Sequence, residues 1–594
     1  MIINIPKVSL VTSLVTVSLV GVHVNSEPAS IQETQSKSIT HSLQISSLET
    51  KPSTMDDGSI EELPTLLATT AESLAFFMKA SLGYALEEAE TWVNRDAAEW
   101  LQQEFVKPYQ AHVLAPLIAR DQVEPLPTNG QYHVPYIWDA LLKADDQLRQ
   151  RMMFALSQIL VVSDNPMTNQ ALEMGYYYEQ LSKNSFGNYR QLLEDVTYSH
   201  FMARYLSYLG NRKGDPITGR TPDENYAREI LQLFSIGLIE LNKDGTPKLD
   251  SDGNEIETYS NEDIIGLARV FTGLYSQATE FAKWKTRAED FETQPLKMFE
   301  DFHSPLEKTF LGITIPAGTS GTESINIALD RIFAHPNVGP FISRILIQRF
   351  TATHPSPEYV ERVATAFDLG SYTAANGLTF GENKRGDLKA TLAAILLDEE
   401  VHSVTETTTG YGKIREPILN FSYWVRSMKI EMVDSKNEHA LYSSKTSPLG
   451  QHPFRSPSVF NFYRPGFIAP STESANLELT TPELQLYTPI EMFKINDTLS
   501  TFIYNKSSKK DKSLETFYPA YHDEKLLAEN PEALVEHLNL LLTAQRLTAQ
   551  EKTDIIEAVS ATVIRENQRD FDLEKRVQLA VNLIMLSPNY FVIR

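Results

Sequence analysis

Apolar residues recur every three to four positions along almost all of the chain beyond Leu66, and that period commits it to helices packed on helices. Ala75, Phe76, Met78, Leu82 and Leu86 open one amphipathic stretch; Trp92, Ala97, Trp100, Leu101 and Phe105 form a second. The spacing predicts a buried helix over 148–162, carried by Met152, Met153, Ala155, Leu156, Ile159 and Leu160, and more helix over 189–208. Three further helices are predicted over 324–333, 338–350 and 357–367, separated by His335-Pro336 and His354-Pro355-Ser356-Pro357. Segments 385–398, 414–428 and 574–586 read the same way, the last stopping at Ser587-Pro588. The expected architecture is all-α: a large multi-helical body with long irregular loops. One departure stands out between Ile239 and Tyr259, where Asp244-Gly245 and Asp252-Gly253 interrupt short apolar runs. Asp-Gly is a tight-turn signal, because glycine accepts positive φ, so a small β-hairpin insertion is expected there.

At 594 residues the body is large for one core, and sub-domains over 66–320 and 321–594 are the natural division. The net charge of −24 leaves no basic surplus for phosphates, which argues against nucleic acid as a partner. With no cysteine, the chain has no disulfide, thiolate metal site or cysteine nucleophile. No phosphate-cradling glycine loop, HExxH or GxSxG string occurs, and no cofactor is expected.

The N-terminus speaks of location. Lys7 is the only charge before Glu27, and residues 8–24 are a run of Val, Leu, Ser, Thr and Gly with the single His23 and no Lys, Arg, Asp or Glu. A basic residue, a short apolar stretch and a small residue near Ser26 read as a signal peptide over 1–26. The competing reading is an uncleaved anchor, for which the run is short and rich in hydroxyls. Export to the periplasm, cell envelope or medium is expected, with no integral membrane segment after cleavage. Residues 27–65 follow, with 13 Ser or Thr among 39 and seven acids against Lys37 and Lys51. Such a stretch buries too little apolar area to offset its ordering entropy, so a disordered linker is expected.

The polar residues that interrupt apolar faces are the candidates for chemistry. Glu224, Asn225, Arg228 and Glu229 ride a helix whose apolar side is Tyr226, Ile230, Leu231, Leu233 and Phe234. Thr221, Pro222 and Glu224 have the pattern of a capping box at its start. Arg269 lies among Ile264, Ile265, Leu267, Ala268, Val270 and Phe271, so burial would demand an acidic partner, Glu224 or Glu229. Two readings stand: a structural ion network, or a pocket for an anionic or sugar-like ligand in which a carboxylate pair serves as acid and base. Glu224, Glu229 and His303 are then the catalytic candidates, with Asn225, Arg228 and Arg269 binding. His303 and Glu307 are four apart, yet without a second histidine at metal spacing they predict no metal site. Asp250, Asp252 and Asn254 imitate the start of a calcium loop, but Glu255 and Asn261 stand where Gly and Glu are required.

Six strings occur in one order: 151–158 (RMMFALSQ), 186–193 (FGNYRQLL), 224–229 (ENYARE), 268–273 (ARVFTG), 412–417 (GKIREP) and 456–462 (SPSVFNF). Together they make the chain from about Leu66 to its end resemble the bacterial family catalogued as domain of unknown function 1800. The resemblance implies an exported, mainly helical bacterial protein. It also implies a companion protein of the domain of unknown function 1501 family, which is sulfatase-like. It carries over no catalytic residue. The resemblance implies His-Asp or His-Glu in many members where this chain has His303-Ser304, a departure that speaks further against a metal there.

Residues 449–466 (LGQHPFRSPSVFNFYRPG) are rich in Pro and aromatics and too irregular for a helix. Arg455, Asn461 and Arg464 interleaved with aromatic rings suit sugar stacking or peptide binding. The plainer reading is a long loop pinned to the core by Phe454, Val459, Phe460 and Phe462. Two function classes follow: a non-catalytic envelope protein that binds a companion protein or a glycan, or an exported hydrolase acting on a glycan or ester through a Glu/Arg/His cleft.

Overall fold

The computed structural model describes residues 65–126, 132–164, 170–402, 411–432, 449–504 and 517–594. The expected signal peptide and all of the expected linker but Thr65 lie outside them. Helices make up 53 %, and the strands form six two-residue or three-residue antiparallel pairs among the described residues. The body is therefore all-α. Pro64–Arg594 forms one compact unit, and its main core runs from Leu67 to Ile593 without a break at residue 320.

Helix ends follow local chemistry. Thr69 caps Thr70–Ala80 in a reciprocal capping box with Glu72. Ser356 and Pro357 start Pro357–Leu369, which ends on Gly370 at φ +65°. The 148–162 prediction resolves into Gln147–Ser157 followed by extended chain, and 189–208 into Tyr189–Thr197 and His200–Tyr205. Proline also trims the predicted 414–428 helix to Pro417–Ser427, since Pro417 occupies the first turn and Glu416 is left outside. The Thr221–Glu224 capping box does not form. The helix begins at Asn225, and the Asp223 carboxylate accepts from the Asn225 N–H at 2.9 Å instead.

The 239–259 insertion is a double turn. Gly245 and Gly253 sit at φ +78° and +85°, and bridges pair Ile239 with Glu257, Leu241 with Pro247 and Leu249 with Glu255. Each Asp-Gly thus makes its own reversal, giving three short limbs in place of one long hairpin.

Several of the six strings meet in the interior. Tyr226 lies 4.8 Å edge-on from Phe271, joining 224–229 to 268–273. The strings 151–158 and 412–417 meet at Glu416, which is fully buried. Its Oε2 accepts from Gln158 and Gln451, and Lys413 Nζ lies 3.6 Å from Oε1. Lys413 also donates to Glu483, itself fully buried. Burial raises the Glu416 carboxyl, but Lys413, Arg349 and the Gln451 amide outweigh it and hold it below the usual range. Arg151, Arg349 and Arg415 complete the cluster, and ring faces offset their burial. Arg151 sits 4.6 Å over Phe350, Arg349 4.7 Å over Tyr463, and Arg415 4.6 and 4.7 Å from Tyr423 and Tyr590.

Candidate functional site

The Ala171–Asn184 helix places Tyr176, Glu179, Gln180 and Lys183 along one stripe. That stripe is one wall of a cleft of about 490 Å³. Glu194, Asp195 and Tyr198, at the end of the Tyr189–Thr197 helix, line it from the other side, with Tyr109, Leu114 and Pro295 closing it. Glu179 organises one end. Its Oε1 accepts from the Val113 and Leu114 N–H groups at 2.7 and 3.0 Å, and its Oε2 accepts from the Tyr109 hydroxyl at 2.8 Å. A carboxylate from another helix thereby satisfies the start of Leu114–Val123, which lacks a side-chain cap of its own. Burial lifts the Glu179 carboxyl above its usual range even against these donors. At the other end Asp195 accepts from Asn184 at 2.7 Å and from Gln191 at 3.0 Å, while Glu194 pairs with Arg190 at 2.7 Å. Burial, with Asp195 beside one ring and Glu194 beside the other, raises the Tyr176 and Tyr198 hydroxyls, so both stay protonated donors. Three tyrosines and a carboxylate excess over Lys183 favour a ligand with flat apolar faces, many hydroxyls and no negative charge.

None of the lining residues was singled out from the sequence. The Ala171–Asn184 helix was not among the predicted ones, the second wall comes from other elements, and no local spacing announces that meeting.

The sequence candidates lie elsewhere. Glu224 and Arg228 form an exposed pair at 3.6 Å, and Asn225 Nδ2 reaches Ser207 at 3.5 Å. Glu229 is buried to 7 % exposure with Oε2 lacking a hydrogen-bond partner, and burial raises its carboxyl against the pull of Arg228. Arg269 pairs with neither carboxylate. It stands at the C-terminal end of Asn261–Ala268, only half-buried, and its Nη1 donates to the Glu307 carbonyl at 2.9 Å. The expected buried pair is therefore replaced by a guanidinium–carbonyl contact, because the helix turns Arg269 toward the 304–308 loop. His303 is buried, with Nδ1 donating to the Thr272 carbonyl at 2.9 Å and Nε2 without a partner. Burial pulls its pKa down, the Thr272 contact opposing and nearby Lys308 assisting. Glu307 is exposed. Among the described residues no cluster of three or more His, Asp or Glu suits a metal ion.

In the 449–466 loop, Phe454 is buried at φ +55° and packs 6.3 and 6.0 Å from the Tyr177 and Tyr178 rings. Arg455 Nε pairs with Asp164 at 2.9 Å, and the Phe454 and Ser456 carbonyls accept from Asp164 and Ser163. Asn461 is buried at φ +65°, whereas Arg464 is exposed, 5.8 Å over Phe460. The loop is pinned mainly through Phe454 and its main chain, and Phe460 stays 42 % exposed.

Comparison with known proteins adds one match. A family model described as protein of unknown function (DUF1800) covers residues 75–592. No curated protein and no solved structure matches the chain. The family match spans nearly the whole helical body, and the chain belongs to the DUF1800 family.

Proposed function

We propose that this is an exported envelope protein that binds a glycan in the tyrosine-lined cleft, with a companion of the domain of unknown function 1501 family as its protein partner. The observation that carries the glycan reading is the lining itself. Tyr109, Tyr176 and Tyr198 offer ring faces for the C–H faces of sugars, and Glu194, Asp195 and Gln180 offer acceptors and donors for hydroxyls. The acidic balance favours neutral or amine-bearing sugars over uronates and sulfated chains. Export rests on the composition of residues 1–26, and the partner on the family's resemblance alone.

The test is a panel of immobilised oligosaccharides probed with the full chain. Glucosamine and N-acetylglucosamine oligomers are expected to retain it, and polygalacturonate is not. Retention by anionic glycans alone, or by none, would remove the reading. The sequence-level alternative, hydrolysis through Glu224, Glu229 and His303, gains nothing from the geometry, since no hydrogen bond or ion pair joins these three.

A further inference from the structure

Behind one end of the cleft lie three buried residues that no sequence motif announces. Ser276 directly follows the Leu274–Tyr275 strand, His200 opens the His200–Tyr205 helix, and Glu173 sits in the first turn of Ala171–Asn184. His200 Nε2 lies 2.7 Å from Ser276 Oγ, and His200 Nδ1 lies 3.2 Å from Glu173 Oε2. Arg204, one turn beyond His200, holds the other Glu173 oxygen at 3.2 Å. The Nδ1–Glu173 contact is close but outside hydrogen-bond alignment, so a small rotation of the imidazole is needed to aim Nδ1–H at Glu173. The Nε2 lone pair then faces the serine hydroxyl, the arrangement that activates a hydroxyl nucleophile. All three residues are 1 % exposed.

Their cover is the 3₁₀ turn Phe291–Thr293 and the chain on either side of it. The Phe291 ring is 5.2 Å from the His200 ring. Arg287 stacks over Trp284 at 3.9 Å and Phe291 at 4.6 Å, holding the cover by surface stacking. The same stretch supplies Pro295 to the cleft, and the Pro295 carbonyl accepts from Gln277, the residue after Ser276, at 2.9 Å. Glu173 precedes the cleft residue Tyr176 by one helical turn, and His200 follows Tyr198 by two residues. Displacing Phe291 uncovers the His200 ring on the stretch that leads to Pro295 of the cleft.

We propose that Ser276, His200 and Glu173 form an acyl-transfer relay that hydrolyses ester-linked acyl groups on a glycan held in the cleft, a proposal that rests on the glycan reading for its substrate. Ser276 Oγ adds to the acyl carbonyl carbon while its proton passes to His200 Nε2. Collapse breaks the bond to the sugar oxygen, which leaves as an alcohol with that proton. Water, deprotonated by His200, then attacks the acyl-serine, releasing the carboxylic acid and restoring Ser276. Glu173 is a positioning residue, acting through His200.

A fluorophosphonate probe tests the relay without any glycan, so a failed relay and a failed glycan site are distinguishable. The folded full chain is expected to be labelled at Ser276, located by peptide mass. Ser276→Ala abolishes labelling, His200→Gln slows it ~100-fold or more, and Phe291→Ala speeds it by opening the cover. Glu173→Gln slows the labelling of Ser276 while Glu173→Asp restores much of it, as expected of a carboxylate that acts by orienting His200. Absence of labelling in the folded wild type, labelling that survives Ser276→Ala, or a rate indifferent to His200 would each overturn the relay and leave the trio a structural network.

Discussion

At the scale of single residues, the buried charges separate into those that hold the fold and those that face a cleft. Glu416 belongs to the first kind. Removing its charge by Glu416→Gln leaves Lys413 and the neighbouring guanidiniums short of a buried anion, with an expected loss of about 3–5 kcal/mol. A urea titration of the variant beside wild type measures it, and a loss below 1 kcal/mol would show that the cluster is matched without this carboxylate. That Glu416 would matter was partly legible, since it sits in one of the strings that carry the family resemblance. Its partners were not, because Gln158 and Gln451 are distant in sequence and meet it only through packing. Arg269 shows the opposite error: apolar neighbours along a helix predicted burial, but residue spacing does not say which way the last turn of a helix faces.

Elements were the most legible scale, because a helical period and a cap are local. Val338–Phe350 lies where the spacing puts it, between Pro336 and Pro355. Boundaries shifted where proline or a competing Asx contact intervened, as at Pro417 and Asp223. What sequence did not show is how closely elements approach. Gly266, inside Asn261–Ala268, lies against the Lys308–Phe310 strand, and a Cβ there would fall 1.8 Å from the Thr309 carbonyl oxygen. Gly266→Ala must therefore push the helix off the strand, with an expected cost of about 3 kcal/mol despite alanine's better helix propensity. Thermal melts decide it: an unchanged or raised Tm would mean that the two elements move apart without cost.

For the whole molecule, one main core runs through the compact unit Pro64–Arg594, and its depth leaves ionisable groups stranded. His452, 4 % exposed and beside Trp138, has its pKa lowered to about 4, chiefly by burial. His303 shifts in the same direction. A histidine whose folded pKa lies below its unfolded value stays neutral in the fold, so the unfolded chain binds more protons between pH 6.5 and 4. Stability is then full above pH 6.5 and falls as the pH drops through that window, by about 3 kcal/mol for His452. Denaturant midpoints at pH 7 and pH 4.5 should differ accordingly, and His452→Gln should narrow the difference; a difference untouched by the substitution would assign the loss to carboxylates such as Glu416.

The cleft is the feature on which the functional account stands, and calorimetry reaches it directly. Titrating a glucosamine trimer into the full chain is expected to give saturable binding at one site. Tyr176→Ala should weaken it about 10-fold while leaving the melting temperature unchanged, since the ring lines the cleft without filling the core. No heat of binding with any neutral or amine-bearing oligosaccharide, or an affinity identical in Tyr176→Ala, would contradict the account.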